Sequence, residues 1–245
     1  MFQQYELDLA PAHAILSASS SHRWIACPAS VQAQFGLQDE SSPAAAEGTA
    51  LHELAETCLR NAQEPHEFLG KEVNGHVIDL EQANMARVYV EHCRSLPQAH
   101  TYVERRVDFS NWADEGFGTA DFLSIDEGEA FVVDAKFGRS LVNANNTQLK
   151  CYALGVFDAF GFDRQIDTIN MTIVQPRLRH LETHTMRSRE LLAWGREVLA
   201  PAAKAALGDK PPFNPGESQC RYCRASATCR ALAEHIFAKI GEEFA

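Results

Sequence analysis

Two aspartates and a lysine stand in the segment GTADFLSIDEGEAFVVDAKFG, residues 118–138, where their side chains can act together. If Glu127 and Gly128 are the central residues of a hairpin turn, Asp121 lies directly across from Asp134 and their carboxylates share one face. Lys136 follows Asp134 by two residues and joins that face, whereas Phe122, Phe131, Val133, Ala135 and Phe137 point to the other. One face is then expected to be core and the other chemistry. Opposed like charges cost a sheet up to about 1 kcal/mol, which a divalent cation between them would remove. Two carboxylates and the backbone carbonyl of Ala135 offer hard oxygen ligands for Mg2+ or Mn2+. A nearby lysine can orient or deprotonate a water or stabilise charge on a phosphate. That is the equipment of phosphodiester hydrolysis. The plainer alternative is a solvated hairpin face on which Lys136 neutralises one aspartate.

A second constellation is Cys220-x2-Cys223-x5-Cys229, three thiols in a tail approached through a Pro/Gly-rich stretch. Three thiolates so spaced ask for a metal and need a fourth. Cys27, in RWIACP, is the best candidate because it lies outside a helical apolar stripe and before a proline. Zinc and an iron-sulfur cluster are both compatible with four thiolates. Structural zinc sites, however, usually pair two short knuckles, so this spacing fits zinc less well. Cys58, Cys93 and Cys151 read as packing cysteines.

The elements that must position these residues can be read from periodicity. Leu51, Leu54, Ala55, Cys58 and Leu59 form the stripe of an amphipathic helix, and a second helix is expected over about 79–95. Residues 101–109, 117–125, 129–137 and 168–176 read as strands, with 181–187 a fifth. A helix over about 146–160 places Gln148 and Tyr152 one turn apart on one face. The stretches 38–48 and 208–219 read as loops. The expected fold class is α/β, a mixed sheet flanked by helices. It is laid out as one domain over 1–245: a helical part to about 100, a core over 101–190 and a cysteine-bearing tail over 191–245.

Taken together, G-T-A-D, V-V-D-A-K and Gln148-x-x-x-Tyr152 resemble the PD-(D/E)XK nuclease superfamily, specifically its RecB-like branch. The resemblance implies a restriction-endonuclease-like sheet. It assigns the two acids to Asp121 and Asp134, the lysine to Lys136, and substrate contact to Gln148 and Tyr152. His52, closing G-T-A-L-H, matches the histidine that completes the metal site in that branch. Asp134 stands where many relatives have Glu. The cysteine order is similar to that of the iron-sulfur exonucleases of the branch, including CRISPR-associated, AddB-type, phage and prophage members. It implies a 4Fe-4S cluster on Cys27, Cys220, Cys223 and Cys229 that clasps the two ends of the chain.

Of 245 residues, 45% are hydrophobic and 22% charged, which is the balance of an ordinary globular protein. No segment has the length and apolarity of a membrane span, and the start of the chain lacks the marks of an export signal, so a cytoplasmic location is expected. The net charge of -11 argues against indiscriminate coating of nucleic acid, so any DNA groove must be local. Arg177, Arg179, His180, Arg187 and Arg189, then Arg221, Arg224 and Arg230, with Arg105 and Arg106, are candidates to track phosphates. Tyr222 and Trp112 are candidates to stack on bases. No nucleotide-binding glycine loop is visible, so unwinding would have to come from a recombination, repair or CRISPR-type partner. The reading is a metal-dependent nuclease, an exonuclease on single-stranded DNA ends. The alternatives are a nuclease-fold DNA-binding or assembly protein with little cleavage, and a zinc-stabilised interaction module.

Overall fold

The computed structural model describes residues 14–37, 42–161 and 163–243. Short helices α1 (Ser21–Ala26) and α2 (Ser30–Ala33) precede the long α3 (Pro43–Asn61). A small hairpin, β1 (Glu72–Val73) and β2 (His76–Val77), leads to α4 (Leu80–Ser95). Strands β3 (His100–Asp108), β4 (Phe117–Asp126) and β5 (Glu129–Ala135) follow, then α5 (Thr147–Phe160), β6 (Thr168–Gln175) and β7 (His180–Arg187). The chain continues through α6 (Ser188–Trp194), a π-helical turn (Gly195–Leu199), α7 (Ala200–Ala206), α8 (Glu217–Cys220) and α9 (Arg230–Glu243). No described helix is long and apolar enough to cross a membrane.

The five-stranded sheet has the order β3-β4-β5-β6-β7, antiparallel except for the parallel pair β5 and β6. Its register is set at the β4–β5 turn. Glu127 and Gly128 have φ of 44° and 82°, the pair of left-handed residues that a type I′ turn requires. Phe122 therefore pairs with Val133 and Asp126 with Glu129, as the turn reading predicts. The ladder stops at Phe122, and β5 continues alongside β6, where the Lys136 N–H donates to the Val174 carbonyl at 2.9 Å. Between β4 and β5 a fork opens. It contains the side chains of interest.

Both faces of the sheet are buried at its central strands β4, β5 and β6, which corrects the expectation of one apolar and one chemical face. Leu123, Ile125, Ala130 and Val132, which share parity with Asp121 and Asp134, pack in a core with Leu149, Tyr152 and Val156 of α5. Phe122, Val133, Ala135 and Phe137 pack with Leu51 and Leu54 of α3 and with Met85 and Tyr89 of α4. Helices cover the sheet on both sides, so its polar chemistry is confined to one end.

The stretch expected to be a loop over 38–48 is another correction: residues 38–41 lie outside the described ones, and α3 begins at Pro43. Ser42 caps it by accepting the Ala45 N–H at 3.2 Å, proline suits the first turn, and alanines 44–46 propagate it. Asp79 and Gln82 form a capping box on α4, and Asn146 accepts the Leu149 N–H at 2.9 Å to start α5.

Gly118 lets α5 approach β4 closely. A Cβ there would lie 2.7 Å from the buried ring of Tyr152 and 3.1 Å from the Cβ of Ala18. Gly118→Ala is therefore expected to lower the unfolding free energy by about 1 to 3 kcal/mol, the usual cost of overpacking a closed core. Urea denaturation checks it, and an unchanged midpoint would show that Tyr152 is free to move.

Candidate metal centre and cysteine pocket

α3 and β3–β5 deliver one group of side chains to the fork, and the start of α5 adds another. Asp121 Oδ2 accepts the Ala135 N–H at 2.8 Å, so the carboxylate of β4 replaces the ladder bond that β5 lost there. A residue's N–H and C=O leave an extended strand on the same side, so the Ala135 carbonyl also faces the fork. Asp134 is 1% exposed. Its Oδ1 accepts Gln148 Nε2 at 2.9 Å, and its Oδ2 has Lys136 Nζ as ion-pair partner at 2.7 Å but accepts no aligned hydrogen bond. Lys136 Nζ also donates to Gln148 Oε1 at 3.2 Å, and Gln148 Nε2 donates to the Tyr152 hydroxyl at 3.0 Å. The one-turn spacing of Gln148 and Tyr152 thus places an amide that links lysine, carboxylate and phenol.

His52 reaches the fork from α3, with Nδ1 at 3.4 Å from Asp121 Oδ2 and its ring edge against Phe137, centroids 5.2 Å apart. Glu104, which no motif singled out, comes from β3. Val103 pairs with Phe122 and Arg105 with Ala120, so Glu104 falls opposite Asp121, outside the ladder and with φ of 48°. A left-handed glutamate inside a strand is uncommon. Among the described residues, His52, Glu104 and Asp121 form a group whose ligand atoms all lie within 4.8 Å of one another. No local sequence signal marks Glu104, since its place depends on the pairing of β3 with β4.

The electrostatics follow from crowding. Burial, then the neighbouring Asp134, push Asp121 well above the usual carboxylate range, against the pull of Lys136 and the Ala135 N–H. Burial and the charge of Asp121 raise Glu104 from its ordinary 4.5 to about 7. Burial lowers His52, with Lys136 adding to it against the pull of Asp134 and Glu104, so the neutral imidazole that ligates metals is favoured. Burial opposes the charge of Lys136, but Asp134 and Asp121 outweigh it and its pKa is raised. A bound divalent cation fits this donor set. Carboxylate oxygens and a neutral imidazole nitrogen suit Mg2+ or Mn2+, and the cation would hold ionised the carboxylates that now resist ionisation.

The four cysteines expected to act together do line one pocket, with Phe213, Pro215 and Leu232 in its wall. All are free thiols. Cys27 Sγ accepts the Asn214 N–H at 3.3 Å, and Cys220 Sγ accepts the Gly216 N–H at 3.5 Å. Such backbone donors stabilise thiolate ligands. Among the described residues, no three of these sulfurs gather within 4.8 Å of one another. Cys58, Cys93 and Cys151 are fully buried away from this pocket, as packing residues are.

The basic and aromatic candidates divide. Arg177 is not available to phosphate: its guanidinium binds the Phe137 carbonyl at 2.9 Å, Glu47 at 2.9 Å and Glu81 at 3.2 Å, tying α3 and α4 to the end of β5. Arg187 pairs with Asp167 at 2.6 Å and Arg230 with Glu234 at 2.7 Å. Arg106 lies over the ring of Phe117 and Arg105 over that of Tyr102. Trp112 is a packing residue, its Nε1 donating to Asp158 at 2.9 Å and its ring filling the space where a Cβ of Gly195 would stand. Tyr222 is exposed.

The family model described as "Protein of unknown function (DUF2800)" matches residues 13–245, so the chain belongs to that family. A solved structure titled "Crystal structure of SSO0001" aligns over 86% of this chain and 96% of its own at 13% identity, with a TM-score of 0.33. So loose a likeness bears on neither fold nor function.

Glu104 makes the centre sensitive to pH. Its folded pKa is raised, so the folded state holds a proton that the unfolded state has released between about 4.5 and 7. Its contribution is fully present below 4.5 and is lost as pH rises through 7. In chelator, the melting temperature of the wild type is expected to fall across that window more steeply than that of Glu104→Gln. Parallel curves in a thermal melt series would exclude Glu104 as the source.

Proposed function

We propose that this DUF2800 chain is a divalent-metal-dependent DNA nuclease of the PD-(D/E)XK, RecB-like kind, an exonuclease on single-stranded ends with a structural 4Fe-4S cluster in its cysteine pocket. The observation that carries the reading is the meeting of Asp121, Asp134, Lys136, His52 and Gln148 at one end of the sheet. These are the residues of the motifs that resemble that superfamily.

Asp121, Asp134, His52 and the Ala135 carbonyl would hold the cation, which when bound supplies Lewis-acid polarisation of the phosphoryl oxygen and a water of lowered pKa. The protein's own groups do the rest. Lys136, kept protonated by its carboxylate neighbours, is a cation directed at the phosphate. Gln148 fixes the lysine from one side and Asp134 from the other, so the ammonium reaches the fork in one orientation. His52 and Phe137 close the α3 side. In the cysteine pocket, a cluster would tie residue 27 to residues 220–229. Closing so long a loop removes freedom from the unfolded chain, and ligation adds binding free energy that only the folded arrangement collects. The cluster is then a clasp and takes no part in hydrolysis.

End-labelled linear DNA, single- and double-stranded, and a covalently closed single-stranded circle incubated with Mg2+ or Mn2+ test the reading. Linear single strands are expected to shorten and circles to persist. Asp134→Ala should reduce the rate to background and Lys136→Ala by roughly 10² to 10⁴-fold, with circular dichroism unchanged. Wild-type rates in either variant sink the assignment, circles cut as fast as linear strands make the protein an endonuclease, and DNA bound but never cut supports a nuclease-fold binding protein. For the cluster, Cys27→Ala should lose iron and become protease-sensitive near both ends of the chain. Full iron content with an unchanged digestion pattern would remove Cys27 from the ligands.

A further inference from the structure

A groove of about 780 Å3 runs along the outside of α1 and α2. In a chain of net charge -11, none of the described residues that line it is acidic, and two are arginines, Arg23 and Arg224. The acidic groups gather elsewhere, with Glu53, Glu56 and Glu104 around a separate depression beside His52. The groove's lining includes the hydroxyls of Ser17, Ser19 and Ser20, with Ser17 Oγ at 2.7 Å from Ser20 Oγ. The lining also includes two aromatic rings with little cover: Phe35 is 92% and Tyr222 59% exposed. Arg221, which lies over the Tyr222 ring at 5.3 Å, adds a third cation beside the groove.

The segment that borders the groove also packs against the elements of the candidate metal centre. Ala18, within the serine run, stands beside Gly118 and the Tyr152 ring, and Ser21 Oγ lies 2.7 Å from Thr147 Oγ1. Thr147 directly precedes Gln148, which holds Lys136 and Asp134. Ala18 and Ser21 are fully buried, so these contacts are packing that fixes α1, which borders the groove, against α5, which carries Gln148.

We infer that this groove is the track of an unpaired DNA strand, with Phe35 and Tyr222 as stacking platforms for bases and the serines, Arg221 and Arg224 as partners of the backbone. Its identification as the substrate's path rests on the nuclease reading given above. The chemistry selects the ligand. Hydroxyl and guanidinium donors suit phosphate oxygens. Exposed rings can stack only on bases that are not already paired, so the surface suits a single strand and not a duplex. The described lining presents a polyanion with two arginines and no acidic side chain. The metal centre alone has no means of preferring single strands, and the two rings supply one.

The test measures binding apart from cutting. Anisotropy of fluorescein-labelled oligodeoxythymidine is followed with the iron-loaded protein in chelator, beside cleavage in Mg2+ or Mn2+. Phe35→Ala and Tyr222→Ala are each expected to weaken binding by about five- to a hundredfold, and Tyr222→Trp to restore it. Phe35 is almost wholly exposed, so its truncation leaves the fold alone, and iron content controls for Tyr222, which lies between two of the cysteines. Wild-type affinity in both alanine variants, or no single-strand binding by the wild type, overturns the inference. Losses confined to oligouridine would assign the groove to RNA and overturn it equally. Ring-dependent DNA binding without cleavage by the wild type would leave the groove standing while the hydrolytic reading falls.

Discussion

Three carboxylates share one end of the sheet with a single lysine, and the surrounding structure is arranged around that imbalance. Asp121, Asp134 and Glu104 come from three adjacent strands, and burial strengthens the repulsion among them while removing the water that would screen it. The Ala135 N–H, Lys136 and the amide of Gln148 each answer part of the charge. The balance is incomplete, as the raised pKa values of Asp121 and Glu104 and the unaligned Asp134 Oδ2 show. A sheet gains nothing from such an end by itself. Under the proposed function, the remaining charge is what a divalent cation binds.

Holding the group together requires rigidity from both faces of the sheet. α5 packs on one face and carries Gln148 and Tyr152, with Gly118 letting the tyrosine ring sit directly on β4. α3 and α4 pack on the other, and α3 carries His52. Arg177 links Glu47 and Glu81 near the starts of these helices to the Phe137 carbonyl just past Lys136, so the helix bearing His52 is fixed relative to the strand bearing the lysine. A largely covered arginine whose guanidinium is bonded on several sides is structural however basic it looks in a sequence.

Charge is also segregated across the molecule. Carboxylates collect at the fork and along the outer face of α3, while the groove over α1 and α2 has arginine, serine and aromatic side chains. The cysteine pocket lies just behind that groove: Cys27 follows α1, and Tyr222 sits between Cys220 and Cys223. Under the proposed reading, whatever orders the four cysteines also orders one wall of the strand's path.

The chain alone determined what neighbouring residues decide among themselves. Glu127-Gly128 dictated a type I′ turn and with it the β4–β5 register as far as Phe122 and Val133, although the ladder ends there and the expected pair of Asp121 with Asp134 is not part of it. Apolar periodicity and the caps at Asp79 and Asn146 dictated α4 and α5, and hence the shared face of Gln148 and Tyr152. Even locally, Ser42 and Pro43 were ambiguous, because the same residues open a loop or cap a helix. Tertiary structure decided which residues from distant segments are buried together. Glu104 meets Asp121 and His52 only because β3 borders β4 and α3 crosses that end. Arg177 is occupied only because two helices converge on it, and the 92% exposure of Phe35 depends on how the turn after α2 lies on the rest of the fold. Turn geometry, capping and periodicity act over a few residues and leave a mark in the sequence. Strand order and helix placement are settled by the packing of the whole core, so the pairings they create leave no local mark.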